Sequence, residues 1–340
     1  AGSGWSAFGH VETEADIGLS PRGCPFALIA SIEGSGQRQS ACVTVLAVIW
    51  GTAVHEDSQM TALQEQFTLS NGQRMPKIGF GTWQITDASE AYGATSSALA
   101  CGYRHIDTAR VYGNEESVGE ALRNSGISRS EVFVTSKLPA EVKDPDEALA
   151  SFETTMAAIS LDYLDCYLIH APWPWHDIGR DCAAGNKAVW EVFESIYRSG
   201  RVKSIGVSNF NAADLKVILD GCSTKPMVNQ IRYFIGNTQQ EVVKFCRSED
   251  IQVTAYSPLA TGKILRNPDI RAVAERYGKS VAQVCIRYVI QRGVGPLPKS
   301  THPQRIRENA DVDFEITSPD MALLDKLNRI DKVDQGQQTS

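Results

Sequence analysis

From about Phe67 onward, short runs of β-branched and aromatic residues alternate with longer amphipathic stretches, several of which end at a glycine. This alternation is typical of βαβ units and a parallel sheet. We predict eight strands, at Ile78–Thr82, His105–Thr108, Val132–Lys137, Leu164–His170, Ser204–Ser208, Met227–Ile231, Val253–Ser257 and Gly295–Pro298. The helices predicted around them are Asp87–Cys101, Glu115–Asn124, Pro145–Ser160, Val189–Arg198, Ala212–Leu219, Gln240–Ser248, Asp269–Tyr277 and Val281–Gln291.

An α/β chain with eight strands can form a closed (β/α)8 barrel or a doubly wound open sheet, because both have a similar sequence pattern. The open sheet needs a G-x-G-x-x-G turn after its first strand, and Gly34-Ser-Gly36 lacks the third glycine and follows no clear strand. We therefore predict the barrel. Phe67–Met75 is interpreted as a hairpin around Asn71-Gly72, which closes the bottom of the barrel.

The first 60 residues differ from the rest, with glycine, serine and polar clusters and no clear period. Their apolar run, Ala41–Val54, is too short to span a bilayer, and the stretch before it does not fit a signal peptide. We interpret residues 1–60 as a disordered or expression-derived extension, or as translated upstream sequence with Met60 near the natural start. The barrel is expected over residues 61–333, followed by a short polar tail at 334–340.

Charge and cysteine usage narrow the class of partner. The formal net charge is −7 and the pI is near 5.5, which disfavours nucleic acid and favours a small-molecule partner. The eight cysteines include no C-x-x-C pair, so we interpret them as free thiols of a reducing compartment. We accordingly expect a cytoplasmic protein that binds neither nucleic acid nor membrane.

In such a barrel the active site is built at the carboxyl ends of the strands. Three successive predicted strands bring Asp107, Tyr112, Lys137 and His170 to this rim. A tyrosine is a poor acid at neutral pH unless a neighbouring cation stabilises its phenolate, and Lys137 is expected to supply that cation. Asp107 would keep Lys137 charged, and His170 would hydrogen-bond a substrate carbonyl or help to move the proton.

Each of these residues also has a plain structural interpretation. Asp107 could cap the next helix, and Tyr112 could be a rim aromatic with its hydroxyl in water. Lys137 could be a solvated loop charge, and His170 a satisfied core histidine. Their joint occurrence on three successive strand ends favours the catalytic interpretation.

The segments Asp107-Thr-Ala-Arg-Val-Tyr112-Gly-Asn-Glu, Thr135-Ser-Lys137 and Tyr167-Leu-Ile-His170 resemble the signature segments of the aldo-keto reductase family. The resemblance runs from about Phe67 to Ile330, and the short tail is similar to that of prokaryotic-type members. It implies a (β/α)8 barrel without a Rossmann domain and a catalytic tetrad of Asp107, Tyr112, Lys137 and His170.

The same resemblance implies a cofactor cleft. Ser208, Asn209 and Gln230 would bind the nicotinamide carboxamide, although Ser208 or Asn209 could instead cap a helix. Tyr256 would stack under the nicotinamide ring. The cofactor residues that we predict are Thr82, Ser208, Asn209, Gln230, Tyr256, Ser257, Leu259, Lys299, Ser300, Arg305 and Asn309. The last four resemble a 2′-phosphate site, which favours NADPH over NADH.

Two segments depart from the family pattern. The family commonly has an acidic residue and a His-Pro pair after the position of Gln230, whereas this chain has Ile231-Arg-Tyr-Phe-Ile-Gly236. After His170, the loop Trp173–Asn186 is long and carries two tryptophans. Substrate specificity depends on these loops. We expect Trp83, Trp173 and Trp175 to line an apolar substrate pocket, or alternatively to be ordinary rim packing.

We therefore predict an enzyme that transfers a hydride from NADPH to a small aldehyde, ketone or keto-sugar, with Tyr112 as the general acid. The alternative is a cofactor-binding regulatory subunit or sensor on the same barrel. A metal-dependent hydrolase is disfavoured, because only two of the six histidines fall on strand positions and His105 lies at the wrong end. No metal is predicted, and family resemblance implies a monomer.

Overall fold

The computed structural model describes residues 61–327, so the predictions for residues 1–60 and 334–340 lie outside the described residues. Its strands are β1 (Gln66–Thr68), β2 (Arg74–Pro76), β3 (Phe80–Gly81), β4 (His105–Asp107), β5 (Phe133–Leu138), β6 (Cys166–Ile169), β7 (Ile205–Ser208), β8 (Val228–Arg232), β9 (Gln252–Tyr256) and β10 (Gly295–Leu297). Strands β3 to β10 form one parallel sheet in chain order.

Two backbone hydrogen bonds close this sheet into a barrel. The amides of Gly79 and Gly81 donate to the carbonyls of Pro296 and Pro298, each over 3.0 Å. A side chain at Gly79 would collide with its surroundings, because a Cβ there would lie 2.5 Å from Leu297 Cδ2. The predicted (β/α)8 barrel is confirmed.

The antiparallel hairpin β1–β2 lies at the amino-terminal end of the barrel, as predicted. Leu69 and Met75 of the hairpin pack in one apolar cluster with residues from the first positions of β5, β6 and β8. Those residues are Phe133, Cys166 and Val228. Gly72 at the hairpin tip has φ of +85°, which is the conformation that the Asn-Gly pair favours. The hairpin thus covers the floor and leaves the opposite rim open.

The helices surround the barrel. They are α1 (Ala88–Ala100), α2 (Glu115–Asn124), α3 (Pro145–Ile159), α4 (Ala183–Arg198), α5 (Ala212–Leu219), α6 (Gln240–Ser248), α7 (Pro268–Arg276), α8 (Val281–Gln291), α9 (Pro303–Ala310) and α10 (Ser318–Asp325). Helix α4 begins at Ala183, so the predicted start at Val189 was wrong and the tryptophan-bearing loop is shorter than predicted. Helices α9 and α10 were not predicted, because each has only eight residues. Besides its proline, α9 has just two apolar residues, Ile306 and Ala310, and those of α10 form one continuous run at 321–324.

Local capping residues fix where several helices begin. Asn211 caps α5 and forms a reciprocal capping box with Asp214. Asp144 caps α3 ahead of Pro145, which is well suited to a first helical position. Because Asn211 takes the cap of α5, Ser208 and Asn209 do not serve as helix caps. Their polar groups are therefore available for other roles at the end of β7.

Candidate active site

Four polar side chains from three neighbouring strand ends meet at the open rim. Lys137 of β5 is fully buried, and its Nζ donates to Asp107 Oδ1 over 2.6 Å and to the Thr108 carbonyl over 2.8 Å. The same Nζ lies 3.4 Å from the Tyr112 hydroxyl. His170 follows β6, and its ring packs edge-on against Tyr112 with centroids 5.7 Å apart. The structure therefore brings all four predicted tetrad residues together.

Tyr112 is held by the short 3-10 turn Arg110–Tyr112, which ends at Gly113 with φ of +68°. The following residue, Asn114, is buried and fastens this turn to the barrel. Its amide nitrogen donates to the carbonyls of Thr82 and Ile85, each over 3.0 Å, and its amide oxygen accepts from the Thr108 hydroxyl over 2.7 Å. Asn114 also occupies the cap position of α2, so Asp107 is not a helix cap.

Burial displaces the proton equilibria of the site. It raises the pKa of Tyr112 well above 10, and the Asp107 carboxylate raises the pKa further. Burial lowers the pKa of Lys137, an effect that Asp107 opposes. It also lowers the pKa of His170 well below 6.5, and the Lys137 charge adds to this. At neutral pH, Tyr112 and His170 are therefore both uncharged.

Lys137 was predicted to stabilise the phenolate of Tyr112, yet the net shift in the pKa of Tyr112 is upward in this state. The main physical reason is burial, which disfavours the phenolate, and the Asp107 carboxylate adds to it. Lys137 also lies closer to Asp107, at 2.6 Å, than to the tyrosine hydroxyl, at 3.4 Å. The carboxylate offsets the ammonium charge. The resting tyrosine consequently holds its proton, which is the state that a proton donor requires.

His170 differs from a satisfied core histidine. It lines the main cavity, and its ring packs edge-on against Trp175 with centroids 5.6 Å apart. Its Nδ1 is buried and has no hydrogen-bond partner among residues 61–327. Its carbonyl accepts a hydrogen bond from Asn209 Nδ2 over 2.9 Å, which joins the tetrad to the end of β7.

The predicted carboxamide residues form one connected network. Ser208 Oγ donates to the Gln230 carbonyl over 2.8 Å, and Gln230 Nε2 donates to Asp107 Oδ2 over 2.7 Å. The Tyr256 hydroxyl donates to Asn209 Oδ1 over 2.8 Å. Gln230 Oε1 accepts no hydrogen bond within the described part of the chain. This network fixes the amide groups and leaves an acceptor for a bound amide.

The chain after β9 has an uncommon backbone conformation. Ser257, Ala260 and Thr261 have φ of +50°, +48° and +52°, although none is a glycine. Positive φ at such residues costs free energy and is often found at ligand-binding loops. Ser257, Leu259 and Thr261 line the cavity.

Cationic and polar groups cluster around the start of α9. Lys299 and Arg305 are exposed on the cavity wall and form no ion pair with a residue of the described range 61–327. Asn309 is 5% exposed and also lines the cavity, and no hydrogen bond of its side chain is found in the same range. Ser300 Oγ accepts from the His302 amide over 3.1 Å. These groups can bind a phosphate beside a helix amino terminus.

A single cavity of about 1060 Å³ connects the tetrad to this cationic end. Predicted residues that line it are Trp83, Asp107, Tyr112, His170, Trp175, Ser208, Asn209, Gln230, Tyr256, Ser257, Leu259, Lys299, Ser300, Arg305 and Asn309. Lining residues that sequence reasoning missed include Gln84, Val111, Arg232, Thr261, Lys263, Leu265, Arg271 and Val281. Four of these, Val111, Thr261, Lys263 and Leu265, lie in 3-10 segments, where a residue's spacing does not indicate which way it faces.

Three predicted residues do not line this cavity. Lys137 is buried behind Tyr112 and acts through its neighbours. Thr82 is fully buried, and its hydroxyl donates to the Asp107 carbonyl over 3.0 Å. Trp173 packs edge-on against Trp175 with centroids 5.1 Å apart and does not itself line the cavity. Trp83 and Trp175 remain as the tryptophans on the wall.

Residues 61–327 contain no cluster of three or more histidine, cysteine, aspartate or glutamate side chains arranged to hold a metal ion. The same residues also contain no helix with the length and apolar character needed to cross a membrane.

Comparison with known proteins gives a consistent result. Residues 77–329 match the Aldo/keto reductase family. The chain is 43% identical over 273 residues to the uncharacterized oxidoreductase YtbE of Bacillus subtilis, covering 79% of this chain and 94% of that protein. It is 41% identical to the glyoxal reductase of the same organism, covering 80% and 96%.

Among solved structures, an aldo/keto reductase from Brucella melitensis is 40% identical and superposes with a TM-score of 0.73. The match covers 77% of this chain and 99% of that chain. The closed barrel and the four polar residues that meet at its rim agree with these similarities. The chain belongs to the aldo-keto reductase family of oxidoreductases.

Proposed function

We propose that this protein transfers a hydride from NADPH to the carbonyl carbon of a small aldehyde, ketone or keto-sugar, with Tyr112 as the general acid. The observation that supports it best is the buried Asp107–Lys137 pair beside a protonated Tyr112, at the mouth of a large cavity. A proton donor with a cation behind it suits a reaction in which negative charge develops on an oxygen.

The chain's own groups fit a nicotinamide dinucleotide. Gln230 Oε1 and the Asn209 amide can bind a carboxamide, and Tyr256, whose hydroxyl donates to Asn209 Oδ1, lines the same cavity. Lys299 and Arg305 can bind a 2′-phosphate, which is the group that distinguishes NADPH from NADH. When bound, the reduced nicotinamide supplies the hydride.

Three side chains would handle the proton. Tyr112 would donate a hydrogen bond to the carbonyl oxygen and pass its proton to that oxygen as charge develops there. Lys137, kept protonated by Asp107, would stabilise the phenolate left on Tyr112. The neutral His170 ring would donate its N–H to the same oxygen and orient it.

The wall beside the tetrad indicates the class of substrate. Trp83 and Trp175 present apolar rings, and Val111 is also half exposed there. Such a wall suits small carbonyl compounds with an apolar or lightly hydroxylated body. One relative carries the name glyoxal reductase, which makes small dicarbonyls suitable first substrates.

The test is to mix the purified protein with NADPH and a panel of small aldehydes, ketones and keto-sugars, and to follow loss of NADPH absorbance. We expect Tyr112→Phe to lower kcat by roughly 10²-fold to 10⁴-fold while the Kd for NADPH stays unchanged, because only the proton donor is removed. Tyr92→Phe, which alters a hydroxyl on α1, serves as the matched control. Full turnover in Tyr112→Phe would overturn the assignment.

The same assay distinguishes the proposed enzyme from the alternative function. NADPH binding without turnover of any carbonyl compound by the unaltered protein would favour a cofactor-binding regulatory subunit or sensor. The monomeric state and the cytoplasmic location stay predictions, which gel filtration and cell fractionation can test.

A further inference from the structure

Arg232 is the last residue of β8, inside the segment Ile231–Gly236 that departs from the family pattern. The family commonly carries an acidic residue in this segment, whereas this chain presents a guanidinium. Arg232 is half-buried and lines the main cavity. Arg232 therefore places a positive charge on the cavity wall at this point.

The described surroundings of the Arg232 guanidinium provide an aromatic ring but no counter-charge. Among residues 61–327 the guanidinium forms no ion pair and donates no hydrogen bond, and its described contact is the Phe234 ring, 5.2 Å from the ring centroid. Arg129, by contrast, pairs with the Asp165 carboxylate over 2.7 Å. A half-buried charge that has lost part of its hydration without a counter-charge is costly, so an anionic ligand would offset that cost.

The position of Arg232 indicates which anion it meets. Side chains alternate along a strand, so Gln230 and Arg232 point to the same face, with Arg232 roughly 6–7 Å further out toward the rim. The register of the sheet places Arg232 beside Tyr256 of β9. Arg232 thus lies just beyond the proposed carboxamide and ring positions, where a dinucleotide would leave the barrel.

We infer that Arg232 binds the diphosphate of the dinucleotide cofactor. This inference rests on the proposed function, because it requires a dinucleotide in the cavity. A guanidinium can donate two parallel hydrogen bonds to phosphate oxygens, which makes it better suited to this role than an ammonium. Its role differs from that of Lys299 and Arg305, since the diphosphate is common to NADPH and NADH.

The experiment measures the Kd of NADPH and of NADH by quenching of protein fluorescence, without any substrate. We expect Arg232→Gln to weaken both cofactors by the same factor, roughly 10-fold to 100-fold, as for loss of charge-assisted hydrogen bonds. Arg305→Ala should weaken NADPH more than NADH. Arg198→Gln, an exposed change on α4, is the control for net charge and should alter neither Kd.

The outcomes separate the two proposals. Unchanged affinity for both cofactors in Arg232→Gln would overturn this inference and leave the proposed function intact. A second outcome would also overturn the inference. If the Kd of both cofactors is unchanged and kcat/KM falls only for carboxylated aldehydes, then Arg232 contacts the substrate and not the diphosphate. Failure of the unaltered protein to bind either cofactor would overturn both.

Arg232→Lys distinguishes ligand binding from packing against Phe234. We expect the lysine to recover part of the lost affinity, because it keeps the charge but not the planar fork. If Arg232→Lys and Arg232→Gln lower the Tm equally and bind both cofactors equally weakly, then Arg232 only supports Phe234, and the inference is wrong.

Discussion

Each end of the barrel buries a histidine, and the two histidines differ in their hydrogen-bond partners and in their access to the cavity. At the floor, His105 Nε2 lies 3.1 Å from the Thr135 hydroxyl, and its ring packs edge-on against Phe133. At the rim, His170 lies on the cavity wall with its Nδ1 unpartnered among the described residues. Burial lowers the pKa of both rings. Burial alone therefore does not distinguish the two histidines, whereas the unpartnered Nδ1 beside a cavity makes His170 the one that we expect to be functional.

The largest expected effect concerns the buried charge at the rim. Lys137→Met leaves Asp107 buried without its cation, so we expect a loss of roughly 3–5 kcal/mol in the free energy of unfolding. We also expect kcat to fall by roughly 10²-fold to 10⁴-fold. Denaturant unfolding and NADPH oxidation measure the two effects.

A double variant separates the effect on stability from the effect on activity. Asp107→Asn combined with Lys137→Met should recover much of the stability and none of the activity, because the buried charge is gone but the cation is still missing. Substantial turnover in Lys137→Met would show that the rim does not need the ammonium group.

The buried His105 at the floor predicts how the stability of the protein depends on pH. Burial lowers the pKa of His105 from 6.5 to about 4. Between pH 4 and pH 6.5, His105 is therefore protonated in the unfolded chain but not in the folded chain. Stability should therefore fall as the pH drops from 6.5 to 4, by roughly 3 kcal/mol from this group. His105→Gln should flatten that decline in denaturant unfolding. An unchanged slope would mean that His105 titrates normally in the folded protein.

The smallest effect is a direct comparison of the two histidines. We expect His170→Gln to lower kcat/KM about tenfold, by the loss of one hydrogen bond to the reacting oxygen, with little change in Tm. His105→Gln should lower the Tm and leave kcat/KM of the folded protein nearly unchanged. If both variants behave alike, the distinction between rim and floor is wrong.

The sequence predicted that the four tetrad residues lie close together, because strands that follow one another along the chain are neighbours in a barrel. Successive parallel strands lie side by side, so residues that end three consecutive strands must share one rim. The direction of the Tyr112 pKa shift was not predicted from residue types, because it depends mainly on the burial of the hydroxyl and also on the nearby Asp107 charge.

Cavity residues from irregular segments could not be predicted from the order of the strands. Thr261 and Lys263 reach the cavity from a segment in which Ala260 and Thr261 adopt positive φ, and propensity does not predict that conformation at these residues. Arg232 continues a predicted strand, but the absence of a counter-charge for it among residues 61–327 depends on the whole surrounding structure. Strand ends could be predicted from periodicity, whereas loop-borne contacts could not.

The closing seam of the barrel has a consequence for how the chain is made. Pro296 and Pro298 have no N–H, so β10 can accept the bonds from Gly79 and Gly81 but cannot return one from either proline. The seam also joins the first barrel strand to the last. During synthesis the ribosome must therefore release nearly all of the described chain before the barrel can shut, and until then the edge of β3 stays exposed to other partners.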